Sequence, residues 1–440
     1  MTTCTFRGGV HPDDGKSLSK DKAVQKYVPE GELVFPLSQH IGAPAIPIVE
    51  VGKRVLEGQM IAKADGFVSA NIHSSVSGKV VKIEPRDTVN GKKEMAIIIE
   101  NDMQYEAVKY QKVELSQGDC KKKIRDAIFQ AGIVGMGGAC FPTHVKVSPK
   151  NEKEIDYVIV NGAECEPYLT SDYRRMLEEP EAVIEGLKYM LMVFEHANGI
   201  IAIEDNKKDV IRKMKKLTEN EERIEVKKLK TKYPQGAERQ LIFATTKRKI
   251  NSSMLPADVG CIVDNVDTIH AVYKAVRFGE PLTKRIVTVT GDAIKDPKNF
   301  LVPLGTSYQE LISAAGGFLK DPEKVISGGP MMGKALISLN VPVVKGSSAI
   351  LCLKKDFVSA CEQTNCINCG KCVEVCPGRV APSRLAKVAV RGDKDAFINL
   401  HGMECCECGC CSFICPAKRN LTQTIAAMRK DILAERKKKA

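Results

Sequence analysis

Two runs of cysteine near the C-terminus constrain this chain more than any other feature: Cys366-x2-Cys369-x2-Cys372-x3-Cys376-Pro377 and Cys405-x2-Cys408-x2-Cys411-x3-Cys415-Pro416. Three thiols packed so closely can converge only if the backbone wraps tightly around whatever they hold. A fourth ligand has to come from elsewhere, and the second run is the natural source. Zinc sites favour two CxxC pairs separated by a longer loop, which is not this pattern. Disulfides are also a poor fit. The seventeen cysteines are an odd number, no secretory signal opens the chain, and a protein of this size does not need stapling.

The spacing resembles that of bacterial two-cluster ferredoxins, in which each run gives three thiolates to one [4Fe–4S] cube and its fourth to the other. That resemblance implies one cube on Cys366, Cys369, Cys372 and Cys415, and another on Cys405, Cys408, Cys411 and Cys376. Cys406 and Cys410 interrupt the second run. Only the 405/408/411/415 register reproduces the spacing, so both are expected to be free thiols. Cys4, Cys120, Cys261, Cys352 and Cys361 are expected to act as small apolar residues.

The 440 residues are enough for three or four domains. Hydrophobic content is 43% and charged content 27%. No apolar run approaches the roughly 18 residues that span a bilayer. The net charge of +12 rests partly on Lys207–Lys232, expected to be a solvated helix face, and partly on Arg436–Lys439, a candidate contact for an anionic surface or partner. Nucleic acid is disfavoured, because aromatics are 5%, Trp is absent and the basic residues alternate with acids. Reduced thiols point to the cytoplasm.

Residues 1–35, with the segment GGVHPDDGK, read as an extended N-terminal arm. Residues 36–105 alternate short β-like pieces with glycines. The pieces V-x2-G-Q-x-I and S-V-S-G-K-V resemble the barrel-sandwich β module of lipoyl and biotinyl carriers. Its tip, Ala64–Phe67, has no lysine to modify, so a structural or docking role is expected. From 106 to 280 strands alternate with amphipathic helices, the pattern of a Rossmann-like α/β domain. Residues 281–350 form a small α/β unit (SLBB-like, ubiquitin-like). Residues 351–425 form an α-helical ferredoxin-type two-cluster domain, and 426–440 a basic tail. The fold class is therefore multidomain α/β plus all-β.

The α/β region carries four polar or Gly-rich turns: Gly135–Thr143, Asn161–Pro167, Tyr233–Glu238 and Asp264–Thr268. Glycines admit a phosphate or a flat ring close to backbone amides, and the C-terminal ends of strands are where such domains bind ligands. Each turn alone reads equally well as a helix cap or tight loop. Together, as GMGGACFPTH, NGAECEPY, GAE and DNVDT, they resemble the flavin/NADH-binding subunit of respiratory complex I, with GRGGAGFPTG, NADESEPG, GEE and NNVET. With GGVHPDDGK, the β module, LPADVG and the twin cysteine runs, the chain resembles the RnfC family of the Rnf electron transport complex over nearly its whole length.

That resemblance implies non-covalent FMN, with Gly135, Gly137, Gly138 and Lys146 along its phosphate and ribityl side. Asn161, Glu164, Cys165, Asp264, Asn265 and Thr268 would contact its ring or chain. Phe141, Glu166 and Glu238 would help bind NADH. It further implies an NADH:ferredoxin-type oxidoreductase subunit. This subunit would lie peripherally on the cytoplasmic side of the cell membrane, with other Rnf subunits as partners, ferredoxin reached indirectly, and Na⁺ or H⁺ translocation carried out elsewhere. The family pattern is broken at Met136, Cys140, Ala163 and Ala237, and the family lysine near its FPA segment has no counterpart beside Leu255–Ala257. Two rivals stay open: a cobalamin-reductase-type flavoprotein of microcompartments, which the arm and β module disfavour, and a relay adaptor with a vestigial flavin pocket.

Overall fold

The structure is a computed structural model that describes residues 3–116 and 118–439. Its centre is a four-stranded parallel sheet in the order Ile224–Leu229, Asn198–Glu204, Tyr157–Gly162, Cys261–Asn265. The sequence explains the sheet. YVIVNG and GIIAIE are continuous apolar runs rather than alternating ones, as strands covered on both faces require. One face packs on helices Cys120–Gln130, Pro180–Val193 and Val266–Phe278, through Val158, Val160, Ile201 and Ile203. The other packs on helix Glu238–Thr246 through Ile159, Ile200 and Leu241. Pro180 opens its helix at the first position, where its missing N–H costs nothing.

The β module forms two small antiparallel sheets. Its Leu33, Phe35, Ile61 and Ile97 share one core with Val287, Phe300, Tyr308 and Leu311 of the small α/β unit. The module's tip meets the central α/β domain at Phe67, whose carbonyl lies 2.9 Å from His144 Nε2.

Several expectations need correcting. The arm is not uniformly extended. Glu32–Pro36 is a strand of the β module, and Gln25–Lys26 pairs in parallel with Phe300–Leu301. The final strand of the small α/β unit, Ala349–Leu353, crosses the expected boundary at 350 because it pairs with Thr288–Thr290. Residues 426–439 are not a tail but continue the helix Leu421–Lys439, which buries Ile425, Met428 and Ile432 against Leu385 and Phe397. Lys207–Lys232 is a helix, a loop and the edge strand Ile224–Leu229, and its end lysines are buried, Lys207 at 3% and Lys232 at 8% exposure. Cys261 and Cys352 are buried as expected of apolar residues, Cys4 and Cys120 are half-buried, and Cys361 is exposed.

The arm laces the domains together. Cys4 extends the parallel sheet beside Leu229. Val10 and Tyr233 exchange backbone hydrogen bonds of 2.8 and 2.9 Å, and the Gly9 N–H donates to the Val375 carbonyl of the cysteine-rich domain at 2.8 Å. In that domain the two cysteine runs repeat one backbone path. Asn368 and Glu407 both have φ 55°, Gly370 and Gly409 cap the short helices Lys371–Glu374 and Cys410–Ile414 in the left-handed region, and Arg379 and Lys418 match at 55° and 52°.

Candidate functional site

Three of the four turns sit at or just beyond the C-terminal ends of the parallel strands, and the fourth, Gly135–Thr143, is tied to them. The Met136 N–H donates to Thr268 Oγ1 at 2.8 Å. The Thr268 hydroxyl is therefore the strut that holds the glycine loop. Gly137 has φ +81° and lies so close to Asn265 that a Cβ would stand 2.9 Å from its Nδ2, while a Cβ on Gly138 would meet nothing. The loop thus presents an open backbone face at Gly138. Cys140, where the complex I pattern has glycine, keeps φ 54°, so the backbone shape persists without the residue that favours it.

Asn265 caps helix Val266–Phe278 by accepting from Asp267 N, and its Nδ2 donates to Asp172 Oδ2 at 2.7 Å. Burial pushes the Asp172 carboxyl up to about 7, with Glu164 adding to the effect. Lys146 Nζ lies beneath Gly135 and donates to the Val263 carbonyl at 2.9 Å and Asp264 Oδ1 at 3.1 Å. Burial works to lower its pKa, yet Asp264 and Glu238 together hold it above the ordinary lysine value. Burial also raises Glu238, in the first turn of its helix.

The second and third turns are stitched together at Gly236. Its carbonyl accepts from Asn161 Nδ2 at 2.8 Å, and its N–H donates to Cys165 Sγ at 3.2 Å. Burial pushes the Cys165 thiol up to about 12. Glu164, at φ 49°, accepts from Asp172 N at 2.7 Å through Oε1. Glu166 is tied across the domain boundary, accepting from Met332 N at 2.8 Å and Met331 N at 3.2 Å, and burial pushes it up to about 7. Phe141 is half-buried, and its carbonyl closes the glycine loop by accepting from Gly135 N at 2.8 Å.

Buried polar atoms normally find partners. Here Asp264 Oδ2, the Tyr233 hydroxyl and both amide atoms of Gln235 make no hydrogen bond within the protein, and Glu164 Oε2 meets only the Lys16 ammonium, at 3.8 Å. All belong to the turns at this one sheet edge. A flavin fits this set: hydroxyls and ring N–H groups for the acceptors, a phosphate for Lys146 and the glycine-loop amides.

Sequence reasoning missed four of these residues. Asp172, Tyr233 and Gln235 lie inside or beside turns already singled out. Lys16 ends the GGVHPDDGK arm. It is 6% exposed and donates to the Glu166 carbonyl at 3.0 Å and to that of Leu169, with Glu164 Oε2 at 3.8 Å. Gly15 precedes it with φ +56°, and a Cβ there would strike the Tyr168 ring at 2.5 Å.

In the cysteine-rich domain, Cys376, Cys405, Cys408 and Cys411 all line one small pocket, beside Pro377, Val380 and Ile425. Cys406 and Cys410 line it too. Cys372 and Cys415, each 9% exposed, share a second apolar cluster with Cys411. A backbone bond from Thr364 N to the Ala417 carbonyl at 3.0 Å draws the segment before Cys366 toward Cys415. Cys369 is exposed. Among the described residues no three His, Cys, Asp or Glu side chains close on a single-ion site.

A flavin-type sheet edge joined to a cysteine-rich module defines an electron-transfer oxidoreductase subunit. Residues 128–274 match the family described as the Nuo51 FMN-binding domain, 4–104 the RnfC barrel sandwich hybrid domain, and 286–335 the SLBB domain. The chain is 46% identical over 394 residues to the C subunit of the proton-translocating ferredoxin:NAD(+) oxidoreductase complex of Clostridium ljungdahlii, covering 89% of this chain and 85% of that protein. It is 43% identical over 438 residues to the Na(+)-translocating counterpart of Acetobacterium woodii, covering 99% and 98%. With the C subunit of the ion-translocating oxidoreductase complex of Rhodobacter capsulatus identity is 37%, covering 89% and 76%. Two solved structures of an NAD+-reducing [NiFe]-hydrogenase share the fold at TM-score 0.50 and 18% and 16% identity. They cover 64% and 74% of this chain, which spans 55% and 63% of theirs. The chain belongs to the RnfC family.

Proposed function

We propose that this chain is the NAD-side subunit of an ion-translocating ferredoxin:NAD+ oxidoreductase, exchanging electrons between NAD(H) and ferredoxin-linked partners. The observation that carries this reading is the set of unpartnered buried polar atoms at the flavin-type sheet edge, with the thiols of Cys405, Cys408, Cys411 and Cys376 gathered next door. FMN, when bound, supplies the conversion between two-electron hydride chemistry and one-electron iron–sulfur chemistry.

The chain's own residues bind and orient. Gly135, Gly137 and Gly138 would line the phosphate and ribityl side, with free amides offered by Gly137 and Gly138, and Lys146 would bring its ammonium. Asn161, Glu164, Cys165, Asp264 and Asn265 would face the ring or ribityl chain, while Thr268 holds the loop. Phe141, Glu166 and Glu238 would take the nicotinamide nucleotide, since a carboxylate accepts from ribose hydroxyls. The ligand sets Cys366, Cys369, Cys372, Cys415 and Cys376, Cys405, Cys408, Cys411 would hold two [4Fe–4S] cubes, tuned by burial and hydrogen bonds to sulfur. No helix among the described residues is long and apolar enough to cross a membrane. Peripheral attachment on the cytoplasmic side, through membrane partners that move Na⁺ or H⁺, fits that observation.

Anaerobic purification tests the reading. Stoichiometric flavin absorbance bleached by NADH, with about eight irons per chain as two cubes require, is expected. Brown protein without flavin or NADH response would instead favour a relay adaptor.

A further inference from the structure

The contacts between the flavin-type domain and the cysteine-rich domain fall on one side of the latter. Arg239 pairs with Glu404 at 3.0 Å, and the Ser252 N–H donates to the same carboxylate at 3.0 Å. Glu404 directly precedes Cys405. Gln240 Nε2 lies 3.5 Å from the carbonyl of Pro377, which directly follows Cys376. The arm's Gly9 donates to Val375, the residue before Cys376. All of these flank ligands expected for the same cube.

At the centre of the junction Tyr233, 1% exposed, packs in one apolar cluster with Cys408, Cys410 and Val10, against Cys165 of the second flavin turn. The Cys410 thiol lies 3.9 Å from the Tyr233 carbonyl. The start of the first run is turned away from this junction: Cys369 is exposed and Ile367 is 67% exposed.

We infer that the cube of Cys376, Cys405, Cys408 and Cys411 faces the flavin pocket across Tyr233, which keeps water from the junction, and that the cube of Cys366, Cys369, Cys372 and Cys415 faces outward. The inference rests on the flavin and two-cube reading above. It gives Tyr233 a positioning role at the junction. It also explains Cys410 as a packing residue beneath the third flavin turn rather than a ligand.

A cube with four thiolates gains negative charge on reduction, so admitting water favours its reduced form and raises its potential. The full-length Tyr233→Ala protein, titrated anaerobically with dithionite under EPR, therefore reads which cube Tyr233 covers. Cys408→Ala and Cys369→Ala, each losing one signal, assign the two cubes. If either variant fails to accumulate, the serine variants assign the signals by their shifted spectra. The expected result is an upward shift confined to the cube assigned through Cys408. A shift confined to the Cys369 cube, an equal shift in both, or none overturns the inference. Flavin that NADH fails to bleach would count against the proposed function but leave this measurement standing, because dithionite reduces the cubes directly.

Discussion

Replacing Lys16 with methionine tests whether the N-terminal arm is part of the flavin site. Methionine keeps the length and apolar stem but removes the charge. The Lys16 and Glu164 side chains are 7% and 2% exposed, so solvent screens their pairing little. Burial lowers the pKa of the ammonium, and Glu164 is the largest influence holding it up. Removing one partner of a buried pair costs about 3–5 kcal/mol, because the other charge is left unpaired. Glu164 Oε1 keeps its bond from Asp172 N, which places the loss at the lower end, about 3 kcal/mol. Lys16 also fastens the carbonyls of Glu166 and Leu169, so the loss falls on the second flavin turn. If it appears wholly as weakened FMN binding, about 3 kcal/mol corresponds to roughly 100-fold in Kd. The assay is fluorescence-quenching titration of flavin-free protein with FMN, alongside thermal melting. Lys20→Met, an exposed arm lysine, serves as control. Lys16→Met protein that binds FMN within threefold of the parent and melts at the same temperature would refute the coupling.

Three further outcomes are expected. Cys376→Ala should lose the cube held mainly by the second run, whereas Cys406→Ala should keep both; iron counting with EPR checks this, and loss of a cube in Cys406→Ala would overturn the register. Glu166 is pushed up to about 7, so its carboxylate protonates as pH falls through neutrality; KM for NADH should rise below about pH 7, and Glu166→Gln should flatten that dependence. Burial acts to raise Asp267, but Arg175 and Arg285 hold it down to about 2. With an ordinary value of 3.8, it contributes about 2 kcal/mol above pH 4, lost as pH falls toward 2; Asp267→Asn should destabilise the protein at neutral pH and remove this part of its acid sensitivity in urea titrations.

Much of the site was legible in the chain because its signals are local. The spacing Cys405-x2-Cys408-x2-Cys411 dictates a tight wrap, and the runs YVIVNG and CIVDN end in polar turns where a parallel sheet must bind. The arm was harder. GGVHPDDGK stood out as a segment, yet nothing in it says that Lys16 is buried under the second turn, or that Gly15 lies against Tyr168. Residues 426–439 misled because a Lys- and Arg-rich stretch reads as solvated, whereas one stripe of that helix, Ile425, Met428 and Ile432, is apolar at helical spacing and packs. The buried lysines Lys207 and Lys232 misled for the same reason: composition averages over faces, while burial is decided residue by residue.

Spacing and periodicity along the chain determined which elements form, which thiols can cluster and which turns are free to take a ligand, since these depend on a few neighbouring residues and on short-range geometry. Tertiary structure alone decided how those parts face one another. Val10 beside Tyr233, Tyr233 beside Cys408, and Lys16 beneath Glu164 join residues far apart in sequence. Such juxtapositions follow from how whole domains bury their shared surfaces, a choice that no local pattern encodes.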